Sequence, residues 1–291
     1  MEKFPDLPSL PWRTFGPELR NLLTAVVNKL DREWPAKWQG MGSAKYLLES
    51  LARVTENTYH TIWLLCFDKP KWPATREDVL SVGPLTRTIL DTLFTIIFAF
   101  EDLPTRATWY FKGGWREMWE EQQLYAAKYA GDSKWDEWLK ERQGFLDATA
   151  DRFGLTAAEI ANPEPLRYWP IPSRMRRDTG TSAARVNLMN YLDDWHYGDL
   201  SSESHLSLPG LVMRSSALQT DQNPEELTWR LDKQRSDNML RATVLTVAFA
   251  SEIEIECRYG LAERLKYVWT VLNSTFGMAK ELYDPWYSTR L

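Results

Sequence analysis

Apolar residues recur at intervals of three and four along almost the whole chain, and clean period-two alternation is nearly absent. That spacing confines buried surface to helix faces and leaves few segments able to pair as strands. In 17–34, "PELRNLLTAVVNKLDREW", Leu19, Leu22, Leu23, Val26, Val27 and Leu30 share one face, and Pro35 ends the run. A second helix is predicted over "AKYLLESLARVTENTYHTIWLLCF", stopped by "DKPKWP", and a third from about Arg76 to Asp102. Two more follow, "WYFKGGWREMWEEQQLYAAKYAG" and "SKWDEWLKERQGFLDATADRFG", closed by Gly131 and Gly154 as C-cap glycines. The segment 162–180, "NPEPLRYWPIPSRMRRDTG", is proline-rich and reads as a loop, with Thr181 or Ser182 capping the helix beyond it. Helices from about Pro224 to Arg258 and from Ala262 to Lys280 complete the chain. The fold class is all-α, an irregular bundle of about eight helices in one domain spanning 1–291. A chain of this length buries roughly three quarters of its unfolded surface, so its core needs no staples.

Net charge is −5, which argues against a general polyanion binder and leaves room for a local basic pocket. Only Cys66 and Cys257 occur, each in an apolar helical stretch, as expected of thiols in a reducing compartment. The opening "MEKFPDLPSLPW" has no signal-peptide core. The apolar run "TILDTLFTIIFAF" is shorter than a bilayer requires and contains Asp91. The expectation is a cytoplasmic protein that does not span a membrane. Fifteen tryptophans, paired as Trp115 with Trp119 and Trp135 with Trp138, read as large side chains stapling amphipathic helices together.

The densest polar chemistry is "DDWHYGDLSSESHLSLPG", residues 193–210, which holds two of the three histidines. If the segment is α-helical, Tyr197, Ser201 and His205 are successive four-residue steps on one strip. Earlier, Arg87 and Asp91 stand four apart inside an otherwise apolar helix, and a buried pair of this kind often belongs to a site. Between them lies an arginine-rich loop with Arg167, Arg174, Arg176 and Arg177, followed by Arg185. Arginine's planar fork suits phosphate or carboxylate recognition.

These residues together resemble an uncharacterised bacterial all-helical family, domain of unknown function 5677. Its pattern is an Arg-x-x-x-acid helix followed by a "W…S-x-R…G…Y…Y-x-x-L-S-x-x-x-H" string. Here Trp169, Ser173, Arg174, Gly180, Tyr191, Tyr197, Leu200, Ser201 and His205 stand in that order. Family members usually carry glutamate where this chain has Asp91, which shortens the carboxylate's reach. The resemblance covers about 82–257, leaving the tryptophan-rich ends outside it. It implies one site made of Arg87, Asp91, Tyr197, Ser201 and His205, and brings no known activity. Separately, Arg53 and His60 resemble the arginine–histidine motif of HEPN-type ribonucleases, with Val54 where that motif prefers a polar residue.

The first functional reading is a metal-independent phosphodiesterase, most plausibly a ribonuclease acting as a toxin-type or antiviral effector. His205 would transfer protons, Arg87 would stabilise phosphate charge, Ser201 and Tyr197 would hold substrate, and Asp91 would orient Arg87 or His205. Arg174, Arg177, Trp169 and Tyr191 would bind the ligand. The second is a non-catalytic sensor for a small anionic or nucleotide ligand, and the third a structural or interaction protein. Small anionic ligand or RNA, and a second copy of the chain, are the partners considered. No cofactor is predicted: P-loop, G-x-G-x-x-G, G-x-S-x-G, H-E-x-x-H and paired C-x-x-C motifs are all missing. No metal is predicted either, although Asp193, His196 and Glu252 offer a carboxylate–histidine alternative.

Overall fold

A computed structural model describes residues 12–66, 76–198, 200–201 and 223–291. Of the described residues 80% are helical, and no strand occurs among them. The helices are α1 (Trp12–Arg32), α2 (Gly42–Cys66), α3 (Arg76–Ala99), α4 (Leu103–Lys128) and α5 (Asp136–Arg152). The short α6 (Ala157–Ala161) and α7 (Pro172–Met175) precede α8 (Ala183–Leu192), and α9 (Pro224–Cys257), α10 (Ala262–Thr275) and α11 (Gly277–Trp286) follow. The all-α bundle expected from the sequence is present, with eleven α-helices among the described residues against about eight expected. Two extra ones, α6 and α7, are single turns in the proline-rich region. Another arises because the helix predicted over 262–280 breaks at Phe276, whose backbone is extended (φ −144°, ψ 108°) just before Gly277. Gly131 and Gly154 adopt the left-handed φ values of 83° and 66° that favour glycine at helix ends.

The core is organised around α3 and α9, which pack along each other, with α2 against α3. Ile89, Leu90, Leu93, Phe94, Ile96, Ile97 and Phe98 of α3 are fully buried, as are Val244, Leu245, Val247, Ala248, Phe249 and Ile253 of α9. Consecutive buried positions mean that both helices are covered on nearly every side, unlike a surface helix with one apolar stripe. Three buried hydroxyl contacts tie this core together: Thr55 with Thr92 at 2.9 Å, Tyr59 with Thr243 at 3.1 Å, and the Trp269 indole donating to Ser251 at 3.0 Å. Each pair offsets the cost of removing a hydroxyl from water.

Residues 81–99 of α3 are long and apolar enough to cross a membrane by length and composition, at a mean hydropathy of 1.3. Two thirds of that window is buried against neighbouring helices. Cys66 and Cys257 form no disulfide among the described residues. Trp115 anchors a smaller cluster with Leu146, Ala150, Leu155 and Leu166 beneath the α4–α5 hairpin, its indole donating to the Leu146 carbonyl at 3.0 Å.

A second buried feature joins α8, α9 and the C-terminal segment. Glu252 is fully buried, with one oxygen 3.4 Å from Arg185 and the other 3.3 Å from Arg290. Arg185 also reaches Glu256 at 2.7 Å and Glu101 at 3.5 Å. Glu101 in turn accepts from the backbone N–H and hydroxyl of Ser182, so a carboxylate from a distant turn caps the N-terminus of α8. That capping and the Arg185 charge together hold the Glu101 carboxyl below its ordinary range, against an opposing push from burial.

Truncating Phe249 to alanine removes a fully buried ring where α3 meets α9 and should destabilise the chain by about 3–5 kcal/mol, measured by urea unfolding.

Candidate functional site

Near-complete burial of α3 leaves one edge free, and Arg87 and Asp91 stand on it. A cleft of about 570 Å³ opens there, bounded by α3, the proline-rich segment, α4 and the turn after α8. Arg87 Nε donates to both oxygens of Asp91, each at 3.0 Å. Its Nη1 donates to the Tyr197 carbonyl at 3.3 Å, and its guanidinium carbon lies 3.5 Å from the Tyr197 ring centroid. Such stacking contributes up to about 2 kcal/mol when desolvated. The Arg87 side chain is 11% exposed and that of Asp91 49%, so the cation is tucked beneath the ring while the carboxylate faces solvent. Aspartate, one methylene shorter than glutamate, still reaches the arginine, because a four-residue step puts both on one helix face. Nη2 of Arg87 has no hydrogen-bond partner among the described residues.

Tyr197 reaches this position from an unusual turn. Residues Asp193–Tyr197 continue α8 as a π-helix, a wider turn frequent at functional sites. The Tyr197 ring meets Phe94 edge-on at 5.9 Å, fixing the stack from below. His196, inside the same turn, is 1% exposed, and neither ring nitrogen has a hydrogen-bond partner among the described residues. Burial, with the nearby Arg241 charge, lowers its pKa to about 3, so the imidazole is neutral.

The opposite wall is aromatic. Trp169 packs edge-on against Phe98, Trp109 and Tyr110, with centroids 5.0–5.5 Å away. Tyr110, Phe111, Glu117 and Met118 of α4 and Phe153 after α5 complete the lining, with Pro170, Ile171 and Pro172 along the loop side. Desolvation and the neighbouring Glu117 raise the Tyr110 pKa. Trp169 Nε1 is buried without an acceptor among the described residues.

The loop carrying Trp169 is irregular yet firmly tied to α4. The Trp109 indole donates to the carbonyls of Arg167 and Tyr168 at 2.9 and 3.1 Å. Arg116 Nη1 donates to those of Glu164 and Leu166 at 2.7 and 2.8 Å. Gly113 makes the approach possible: a Cβ there would sit 2.5 Å from the Arg167 carbonyl oxygen. Gly114 beside it lines the cleft with open space where a side chain would project. This wall escaped the motif reading, although the "GG" within a helical pattern was the available signal, since such glycines mark close backbone approach.

Of the sequence-derived candidates, Arg87, Asp91, Tyr197 and Trp169 line one cleft. Ser201 is helical and half-buried but does not line it, and His205 lies outside the described residues. Arg174 and Arg177 are exposed, within two residues of the cleft's Met175 in sequence but not in its wall. Tyr191 packs instead on Trp286 at 5.0 Å and approaches Glu281, and burial together with that carboxylate raises its pKa. Two of the five arginines are paired with acids: Arg176 with Asp193 at 3.0 Å, and Arg185 within the Glu252 network. Asp193 and Glu252 are thus engaged by arginines, and among the described residues no three His, Cys, Asp or Glu side chains cluster as metal ligands. Arg53 is exposed, while His60 lines a separate groove.

Two outcomes follow from this geometry. Gly113→Ala should push the 167–169 backbone off α4 and destabilise the chain by about 1–3 kcal/mol in urea unfolding. His196 has a native pKa below its unfolded value of 6.5, so its contribution is complete above that pH and is lost as the pH falls toward 3. Between pH 6.5 and 5 the stability difference between the wild type and His196→Leu should therefore shift against the wild type, by about 1.4 kcal/mol per pH unit at most.

No family model matches the chain, and no curated protein or solved structure matches it significantly, so the resemblance to the uncharacterised helical family rests on the motif residues themselves.

Proposed function

We propose that this chain is a small-molecule binding module that takes a planar, nucleoside-like ligand in the Arg87–Asp91 cleft. The supporting observation is the pairing of one stacked, carboxylate-bound guanidinium with six aromatic rings: Phe94, Tyr110, Phe111, Phe153, Trp169 and Tyr197. A flat ring system gains from stacking on such walls. Asp91 keeps lone pairs free for ring N–H or amino groups, and Arg87 Nη2 remains to donate to a ring carbonyl. A cleft of this volume, mostly apolar with a few convergent polar groups, has the usual make-up of a ligand site.

The ribonuclease reading draws less support. Arg87 would have to meet a phosphate while bound to Asp91, and Glu117 adds a second negative group to the same lining. Among the described residues the cleft has no imidazole to move a proton. A cytoplasmic sensor of a nucleotide-derived signal is the context that fits this proposal.

Calorimetric titration with nucleosides, nucleotides and free bases tests it. Nucleosides should bind, Asp91→Asn and Arg87→Lys should each weaken binding about ten-fold or more, and added phosphates should not improve affinity. RNA cleavage that disappears in His205→Ala would overturn the proposal in favour of catalysis.

A further inference from the structure

A second cavity, of about 470 Å³, lies between α1 and α2, away from the aromatic cleft. Its polar lining comes from Arg20, Asn21 and Thr24 of α1 and from Glu56, Asn57 and His60 of α2. The sequence explains the placement. With Leu19, Leu22, Leu23 and Val26 turned into the core, positions 20, 21 and 24 form the adjoining stripe, and 56, 57 and 60 do the same beside the buried Tyr59.

Polar stripes that meet along a helix rim ordinarily close by pairing opposite charges, and α1 does so one turn earlier, where Glu18 takes Arg264 at 2.6 Å. In the groove the opposite charges stay apart. Glu56 Oε1 accepts instead from the Thr24 hydroxyl at 2.6 Å, which leaves Oε2 available. Arg20 has no carboxylate partner among the described residues and lies 6.0 Å from the Trp63 ring centroid. A guanidinium and a carboxylate that share a cavity without pairing are the complement of a molecule carrying both charges in reverse.

We infer that the α1–α2 groove binds a small zwitterion of the α-amino-acid type, its carboxylate on Arg20 and its ammonium on Glu56. An arginine fork holds a carboxylate through parallel hydrogen bonds, and the free Glu56 oxygen accepts from an ammonium. The amides of Asn21 and Asn57 and the His60 imidazole supply both donors and acceptors along the groove, where a side chain would be selected. A simple anion would meet Glu56 and a simple amine would meet Arg20, so either ligand alone is opposed by the charge it does not need. This site is independent of the planar-ligand cleft.

Isothermal titration of the full chain with the standard amino acids tests the inference, alongside the amine and the carboxylic acid formed by deleting either charged group from the tightest binder. One or a few amino acids should bind, and both truncated analogues should bind about ten-fold or more weakly. Arg20→Gln and Glu56→Gln should each reproduce that loss with an unchanged circular dichroism spectrum, while Asp91→Asn should bind normally. The inference is overturned if no amino acid binds, if the free acid binds as tightly as the amino acid, or if binding survives Arg20→Gln. Binding abolished by Asp91→Asn alone would likewise overturn it, by moving the ligand to the other cleft.

Discussion

The packing of α3 against α2 and α9 is the constraint on which the remaining architecture depends. A helix with Ile89, Leu90, Leu93, Phe94, Ile96, Ile97 and Phe98 all buried has only one edge left for polar groups. Arg87 and Asp91 occupy that edge, and their four-residue spacing keeps both out of the core on one helix face. Their ion pair is half-exposed, so its own contribution to stability is small. Its value is positional: Asp91 holds the guanidinium in the plane on which the Tyr197 ring stacks. Core geometry thus fixes the site before any ligand is present.

The Arg185–Glu252 network does comparable work at the far end of α8. Glu252 is buried on the central helix, and one unpaired carboxylate there would cost several kcal/mol. Two arginines from different parts of the chain answer it, one from α8 and one from the last two residues. This ties α8, and with it the π-turn that presents Tyr197, to the same helix that α3 packs against. The two halves of the cleft's polar end are therefore referenced to one element.

Much of this was legible in the sequence, for unequal reasons. Three-and-four spacing located the long helices because burial forces that period, and the breaks at Pro35, Gly131 and Gly154 follow from backbone chemistry. The Arg87–Asp91 pair was readable as polar residues set against an apolar helix, whereas its grouping with Tyr197 came only from the motif resemblance. The partners of Arg176 and Arg185 in the arginine-rich stretch were not readable, since these two find acids far away in sequence, beyond the reach of local pattern. Ser201 was assigned to the Tyr197 strip on α-helical geometry, but it follows a π-turn and does not line the cleft. The break at Phe276 was hidden because Val271, Leu272 and Met278 keep an apparent helical rhythm across it.

The contact between Gly113 and the Arg167 carbonyl also bears on entropy. Segment 162–175 is irregular, yet its carbonyls are claimed by Trp109 and Arg116 and its backbone rests directly on α4. The conformational freedom that a loop of this length would surrender on meeting a ligand has already been surrendered on folding. A molecule entering the cleft displaces water from a wall that is already built, and the affinity it gains is not spent on ordering the chain.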